Sequence, residues 1–128
     1  MKLAADLHSH TIASGHAYST VDEMAQGAAR TGLEILAITD HGPALPGGPH
    51  VYHFSNLRIL PDKICGVRIL KGVEANISTP EGGLDLEERI LKHLEIVLAG
   101  FHIKSGYDPG TALENTRAMI GAIENPYV

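Results

Sequence analysis

Four short apolar segments divide the chain at regular intervals. Their starts are separated by 32, 32 and 29 residues, and each segment has the length of a buried strand. Intervals of about 30 residues are what a strand, a crossover helix and a parallel strand require. The pattern therefore predicts an α/β fold of about four successive βα units, with strands at Leu3 to Leu7, Ile35 to Thr39, Val67 to Val73 and Ile96 to Phe101.

Helix signals fill the intervals between these strands. Thr20 to Glu23 has the pattern of a capping box, apolar residues follow on one face, and Gly32 is placed to end the helix. Asp85 to Glu88 and Thr111 to Glu114 repeat the signal, with Asp85 as the expected N-cap of its helix. We also expect a loop over Gly42 to Pro49 and a short helix that ends at Pro61.

Composition narrows the class of protein. The 128 residues carry a formal charge of −5, which speaks against nucleic acid as a partner. The length suits one domain and excludes a complete (β/α)₈ barrel, which takes about 250 residues. The chain shows neither a signal peptide nor an apolar run long enough for a membrane span, so we expect a cytoplasmic protein that does not bind membranes.

Histidine is the unusual residue, with eight copies against two Phe, four Tyr and no Trp. Scattered imidazoles in this number favour metal binding or pH sensing over an affinity tag. Cys65 is the single cysteine, so it cannot form an internal disulfide, and its apolar neighbours predict a buried structural thiol. Any metal site must then use histidines and carboxylates.

Polar residues follow every predicted strand, where parallel α/β folds place their ligands. Because strand side chains alternate, His8 and His10 project to the same side and can share one cation. Isolated histidines are more often structural, but the combination at strand ends predicts a metal site. The candidate ligands at these ends are His8, His10, His41, Glu74 and His102, with His16 on the loop after the first strand.

Several other polar residues have a less defined role. Asp6 and Asp40 are expected to orient neighbouring imidazoles without binding metal. His50 and His53 are candidates for substrate contact, with plain surface exposure as the alternative. Arg58 and Lys104 are the basic residues nearest the motifs that could hold a phosphate, and solvated surface charge is the alternative for both. His93 is predicted to pack or to stabilise the C-terminus of a helix.

Four motifs in order resemble the polymerase and histidinol phosphatase (PHP) family. They are Asp6 to Thr11, Thr39 to Gly42, Gly72 to Asn76 and Gly100 to His102; the segments Ser14 to Ser19 and Pro49 to Phe54 further resemble its small stand-alone bacterial phosphatases. The resemblance implies a distorted (β/α)₇ barrel whose trinuclear centre, commonly zinc, manganese or iron, hydrolyses phosphoesters.

The resemblance also assigns roles to residues of this chain. It implies that His8 and His10 bind one metal, that Glu74 bridges to a second metal held by His102, and that His16 and His41 bind a third. Glu74 and His41 are the expected catalytic residues. A carboxylate has two oxygens and can bridge, whereas a neutral imidazole offers one lone pair. Zinc is the expected metal, and manganese and iron are compatible with the same ligands.

The chain departs from the family pattern at its end. It stops at Asn125 to Val128, where a fifth strand is expected, so residues 1–128 correspond to a single partial domain, the N-terminal half of the barrel. Three further family ligands, a histidine and a later Asp-x-His, would lie beyond this point.

Three functions fit the sequence. The first is a phosphatase that hydrolyses a small phosphomonoester with metal-activated water. The second is a half barrel that binds metal without catalysis and needs the missing half or a second copy of itself, because an open half barrel exposes strand edges and an apolar face. The third and weakest is a nuclease of the same family.

Overall fold

The computed structural model describes residues 3–128 and contains five strands and four α-helices. The strands are β1 (Ala5–Asp6), β2 (Ile35–Ile38), β3 (Lys63–Ile64), β4 (Val67–Asn76) and β5 (Ile96–Gly100). The helices are α1 (Val21–Thr31), α2 (Val51–Asn56), α3 (Glu88–Leu91) and α4 (Ala112–Ile123). Short 3₁₀ helices span Ile12–Ser14 and Leu57–Ile59.

The sheet is parallel except for one short strand. β1 pairs with β2, β2 with the first part of β4, and β5 with the second part of β4, all in parallel. This confirms the four predicted βα strands and the α/β class. The sequence did not predict β3, which forms an antiparallel hairpin with the start of β4.

The helices cover one face of this sheet. Ala25 and Ala28 of α1 pack on β2 and the start of β4, and Phe54 packs with Val73 and Val97 farther along. Val73 and Ala75 point to the helices, so alternation places Glu74 and Asn76 on the opposite face. Buried side chains of this core are apolar on the helix side, and polar side chains concentrate at the other face and at the carboxyl ends of the strands.

Two helices form with the predicted caps. Thr20 and Glu23 make a reciprocal capping box at the start of α1, and Gly32 ends it in a left-handed conformation. Thr111 and Glu114 make the same box at α4. Each cap contributes about 1 kcal/mol to helix stability. None of the helices described over residues 3–128 has the length and apolar character needed to span a bilayer.

The third helix corrects one prediction. α3 covers only Glu88–Leu91 and its N-cap residue is Glu87, so Asp85 does not cap it. The Asp85 carboxylate instead accepts backbone N–H groups of Asn76 and Ala44, at 2.8 and 2.9 Å. It therefore links the loop after β2 to the end of β4. Asp85 binds these distant backbone groups instead of the N–H groups at the start of α3.

The prediction for Cys65 is wrong. Cys65 and Gly66 form the turn between β3 and β4, with φ angles of 51° and 82°, and the thiol is exposed. Two residues with positive φ are typical of the tight hairpin turn that matches strand twist. The apolar neighbours of Cys65 belong to the two strands of the hairpin rather than to one buried strand.

Candidate metal centre

Six side chains meet where the parallel strands end, and we refer to them as the histidine–glutamate cluster: His8, His10, His16, His41, Glu74 and His102. His8 and His10 follow β1, His41 follows β2, Glu74 lies in β4 and His102 follows β5. Parallel pairing aligns these strand ends. The structure brings together all six residues that the sequence offered as metal ligands.

Backbone contacts set the register of the cluster. Ser9 and Thr39 exchange hydrogen bonds between the chain after β1 and the chain after β2, which leaves His8 and His10 on either side of that contact. His41 forms a parallel bridge to Glu74, and the Gly42 N–H donates to the Glu74 carbonyl at 2.8 Å. The strand ends thus carry the imidazoles to the Glu74 carboxylate.

The Glu74 carboxylate lies at the centre of the cluster. Its Oε2 atom is 3.3 Å from His8 Nε2, 3.4 Å from His10 Nε2 and 2.9 Å from His41 Nδ1. Its Oε1 atom is 3.4 Å from His102 Nε2. Four imidazole nitrogens therefore surround one carboxylate that is 9% exposed.

These contacts do not have hydrogen-bond geometry. Glu74 Oε2 and His41 Nδ1 are both buried, and neither has a hydrogen-bond partner among residues 3–128. Buried polar atoms without partners are costly, so such a group calls for an explanation. A metal bound about 2.0–2.2 Å from each ligand separates neighbouring ligand atoms by roughly 3 Å or slightly more, which is the spacing seen here. The residues therefore fit a cation held between them.

The cluster contains three groups of potential ligands. Within each of them, the three ligand atoms lie inside 4.8 Å of one another. The groups are His8 with His10 and Glu74, His41 with Glu74 and His102, and His10 with His16 and His41. Glu74 is common to the first two groups, so its two oxygens can serve both. Histidine nitrogens and carboxylate oxygens suit zinc, and also manganese and iron.

Burial keeps two of the imidazoles neutral. Desolvation lowers the pKa of His41 to about 4, although the charge of Glu74 opposes this effect. Desolvation also lowers the pKa of His10, again against Glu74. Both rings are therefore unprotonated near neutral pH and present a lone pair, which a metal ligand needs.

Asp40 lies beneath the cluster and is completely buried. Burial alone would raise its pKa, but His53, Thr11 and Ser14 surround the carboxylate and hold its pKa at about 2. Thr11 donates its N–H at 2.7 Å and its hydroxyl at 2.8 Å. Asp40 is thus a permanent anion that organises the loop after β1, and it reaches the imidazoles through Ser14.

Asp6 has a different role from the one expected. Its carboxylate accepts the backbone N–H of His8 at 3.1 Å and so contacts the main chain rather than an imidazole. It can restrain the backbone at His8, but the structure gives it no direct part in orienting a ring. The prediction that both aspartates orient imidazoles is corrected for Asp6.

His50 and His53, at the start of α2 and within it, have different surroundings. His53 Nε2 lies 3.3 Å from the Asp40 carboxylate, so this ring belongs to the support of the cluster. His50 is exposed and caps α2, where its Nδ1 accepts the Tyr52 N–H at 3.1 Å. Substrate contact by His50 and His53 stays a prediction.

The basic candidates lie apart from the carboxylate. Arg58 lines a cavity of about 420 Å³ between α2, α3 and the amino-terminal end of β5, and exposed His93 lies on the same cavity just after α3. Arg58 is therefore placed away from the strand ends that carry the cluster. Lys104 is exposed two residues after His102, with a φ angle of 66°.

Sequence reasoning missed the residues that support the cluster. Thr11 and Ser14 donate buried hydrogen bonds to Asp40, and Asp85 accepts the Asn76 backbone N–H; the sequence patterns gave none of these three side chains a supporting role. Gly100 was noted only as part of a motif. A Cβ there would lie 3.2 Å from the His102 ring and 3.4 Å from Glu74 Oε1, so glycine leaves room for both.

Comparison with known proteins gives a consistent result. The PHP domain profile matches residues 6–119. A probable phosphatase of Caldanaerobacter subterraneus subsp. tengcongensis is 57% identical over 129 residues, which cover 100% of this chain and 50% of that protein. Probable phosphatases of Acetivibrio thermocellus and Clostridium botulinum strain Hall are 57% and 45% identical over 128 residues, or 53% and 52% of their own lengths. The chain spans about half the length of these curated relatives.

Proposed function

The chain belongs to the PHP domain family, and we propose that it contributes the histidine–glutamate cluster to a metal-dependent phosphatase. The observation that carries the proposal is the environment of Glu74. Three imidazole nitrogens lie 2.9–3.4 Å from its Oε2 atom, yet this buried oxygen has no hydrogen-bond partner among the described residues. A divalent cation would satisfy the carboxylate and the imidazoles together.

We assign the ligands according to the three groups whose ligand atoms lie close together. His8 and His10 would hold one cation, and Glu74 would bridge it to a second that His102 also binds. His16 and His41 would hold a third, to which His10 is also close. Zinc is the metal we favour, with manganese and iron as compatible alternatives.

The chemistry proposed is hydrolysis of a phosphomonoester. Divalent cations at such a site supply Lewis acidity and make water acidic enough to act as a nucleophile near neutral pH. Glu74 and His41 would then serve by fixing charge and ligand geometry. The Ser14 hydroxyl donates its proton to Asp40 and accepts the His41 backbone N–H, so it is not free to form a covalent intermediate.

Contact with the phosphate would come from the rim of the cluster. Lys104 is the basic candidate that lies on the loop after His102, and its exposed side chain suits a small anionic substrate. His8 is also accessible, with 52% of its side chain exposed. Arg58 is not part of this proposal because it lines the separate cavity behind α2 and α3.

We further propose that a second half of the barrel covers the concave face. Leu7, which follows β1, and Leu98 of β5 line one cavity of about 520 Å³ that also reaches His8. Among residues 3–128, β5 pairs only with β4, so its other edge is open. We favour as the occupant a segment equivalent to the part of the relatives that this chain does not match. A second copy of this chain is the alternative, and light scattering would reveal it.

The proposal is tested by adding zinc or manganese to the purified chain. Calorimetry should show binding, and p-nitrophenyl phosphate should be hydrolysed only in the presence of metal. Glu74→Ala should abolish both. Failure to bind either metal overturns the metal centre itself. Binding without hydrolysis supports the centre but overturns the catalytic competence of these residues on their own.

A further inference from the structure

Ser14 begins one of the segments noted in the sequence, but that segment gave its side chain no role. It ends the 3₁₀ helix Ile12–Ser14 and is 1% exposed, between Asp40 and two members of the histidine–glutamate cluster. The following Gly15 has a φ angle of 74° and lies against the Gly47 backbone, where a Cβ would come within 2.6 Å of the carbonyl oxygen. The turn is thus fixed by backbone packing, and Ser14 is directed inward.

The Ser14 hydroxyl has three polar neighbours. Its oxygen is 2.7 Å from Asp40 Oδ1, 3.0 Å from the backbone nitrogen of His41 and 3.3 Å from His10 Nδ1. A hydroxyl can donate one hydrogen bond and accept two. Three neighbours therefore use its whole capacity.

The direction of each bond follows from the partners. Asp40 is a carboxylate and can only accept, so the Ser14 proton points to Asp40. The His41 backbone N–H can only donate, and it uses one Ser14 lone pair. One lone pair remains for His10. The third bond is satisfied only if His10 Nδ1 carries a proton and donates it to Ser14.

We propose that Ser14 is a positioning residue that holds His10 as the Nδ1–H tautomer, with the Nε2 lone pair directed at the metal centre. His10 Nε2 is the atom that lies 3.4 Å from Glu74 Oε2, as this assignment requires. Metal-binding histidines usually donate their second ring nitrogen to a neighbouring acceptor, which fixes tautomer and ring orientation. Here the acceptor is a hydroxyl whose own proton is held by a buried carboxylate.

The inference rests on the proposed metal centre for its purpose, but not for its geometry. Without Ser14, His10 Nδ1 would lose its acceptor. A neutral histidine free of constraint favours the Nε2–H tautomer, which would place a proton between His10 and Glu74. That proton would occupy the position needed by a cation, so metal binding would have to change the tautomer first.

The test reads the tautomer directly in the metal-free protein. Long-range ¹H–¹⁵N correlation spectra at neutral pH distinguish protonation at Nδ1 from protonation at Nε2. Wild-type His10 should show the Nδ1–H form, and Ser14→Ala should shift it to Nε2–H. The matched control is Ser9→Ala, because Ser9 is also buried in the same loop but its hydroxyl donates to the backbone carbonyl of Ala37.

Zinc affinity provides the second measurement. Ser14→Ala should weaken zinc binding about 10- to 100-fold, as expected for loss of a partner behind a ligand. Ser9→Ala should stay within about threefold of wild type. An equal loss in both variants, without a tautomer change at His10, would mean that the loop is merely destabilised and would overturn the proposal.

The outcomes also separate this inference from the proposed function. An Nε2–H tautomer in the wild-type, metal-free protein overturns the role of Ser14, whatever the variants do. A wild-type Nδ1–H tautomer in a protein that binds no metal would support the positioning role and contradict the metal centre.

Discussion

The two ends of the sheet treat ionisable side chains in opposite ways. Near the hairpin at the amino-terminal end, opposite charges pair: Lys71 Nζ lies 2.7 Å from Asp62, and Arg68 lies 3.3 Å from Glu95. At the carboxyl ends, four imidazoles face a single carboxylate, and two of the rings are held neutral by burial. The first arrangement is complete in itself. The second leaves imidazole and carboxylate lone pairs close together, an arrangement that a bound cation would stabilise.

The difference shows that the buried polar groups at the carboxyl ends of the strands lower the stability of the metal-free fold. Surface ion pairs such as those near the hairpin contribute about 0–1 kcal/mol each. A buried polar atom without a partner costs about 1–3 kcal/mol, and within the part of the chain that the structure describes Glu74 Oε2 and His41 Nδ1 are two such atoms. Sites of this kind usually exist for binding, because nothing in the fold is gained from them.

The largest effect is expected when the same Glu→Gln substitution is made at each end of the sheet. Glu74→Gln removes the charge shared by two ligand groups, and we expect zinc affinity to fall by about 100-fold or more, beyond the loss typical for outer partners. Glu95→Gln, at the amino-terminal end, should leave zinc affinity unchanged. Isothermal titration calorimetry measures both.

Melting temperatures without metal complete this experiment. Because Glu74 Oε2 is buried without a hydrogen-bond partner in residues 3–128, Glu74→Gln should be at least as stable as wild type when metal is absent. A large loss of metal-free stability would show that the carboxylate supports the fold, and similar zinc affinities for the two glutamine variants would contradict the distinction between the ends.

Acid should destabilise the metal-free protein because His41, at the carboxyl ends of the strands, is buried in its neutral form. The pKa of His41 is lowered from 6.5 to about 4 in the folded chain, so between these values the unfolded chain binds more protons. Stability is then full above pH 6.5 and declines as the pH falls toward 4. Urea denaturation at a series of pH values measures the slope.

A matched pair of variants locates the source of this slope. His41→Asn should flatten the decline, whereas His93→Asn, which removes an exposed imidazole behind α3, should leave it unchanged. Equal slopes in wild type and both variants would remove His41 as the cause.

The smallest expected effect lies in the ion pairs near the hairpin. Asp62 is 92% exposed, so Asp62→Asn should lower the free energy of unfolding only slightly, because solvent screens an exposed ion pair. Zinc affinity should not change. Chemical denaturation in low and high salt checks this, and a loss of several kcal/mol would mean that the Lys71–Asp62 pair anchors the sheet.

Local pattern was sufficient for the four parallel strands and for the caps at Thr20 and Thr111, and it indicated the candidate ligands that the structure brings together. The spacing of apolar runs predicted four parallel strands, and Thr20 and Thr111 form the caps that their neighbours indicate. His8 and His10 could be recognised because three consecutive residues at a strand end are enough to identify an H-x-H pair. These features depend on short-range periodicity, which sequence reveals.

Features decided by distant partners could not be predicted. Asp85 looked like a helix cap, but its carboxylate is taken by Ala44, 41 residues away. Ser14 acquires its role from Asp40, 26 residues away. Cys65 was predicted to be buried because its neighbours are apolar, but Cys65 and Gly66 form a turn that reverses the chain. In each case, a tertiary contact or a turn conformation overrode the composition of the segment.

The order of the strands has a consequence for how the protein is made. Along the sheet, the parallel strands run β1, β2, β4, β5, which is also the order in which a ribosome would produce them. Each new strand adds to an edge that already exists. His8 and His10 are synthesised first, then His41, Glu74 and His102. The set of candidate ligands is therefore complete only after β5 has been synthesised, which puts its assembly at the end of the production of this sheet.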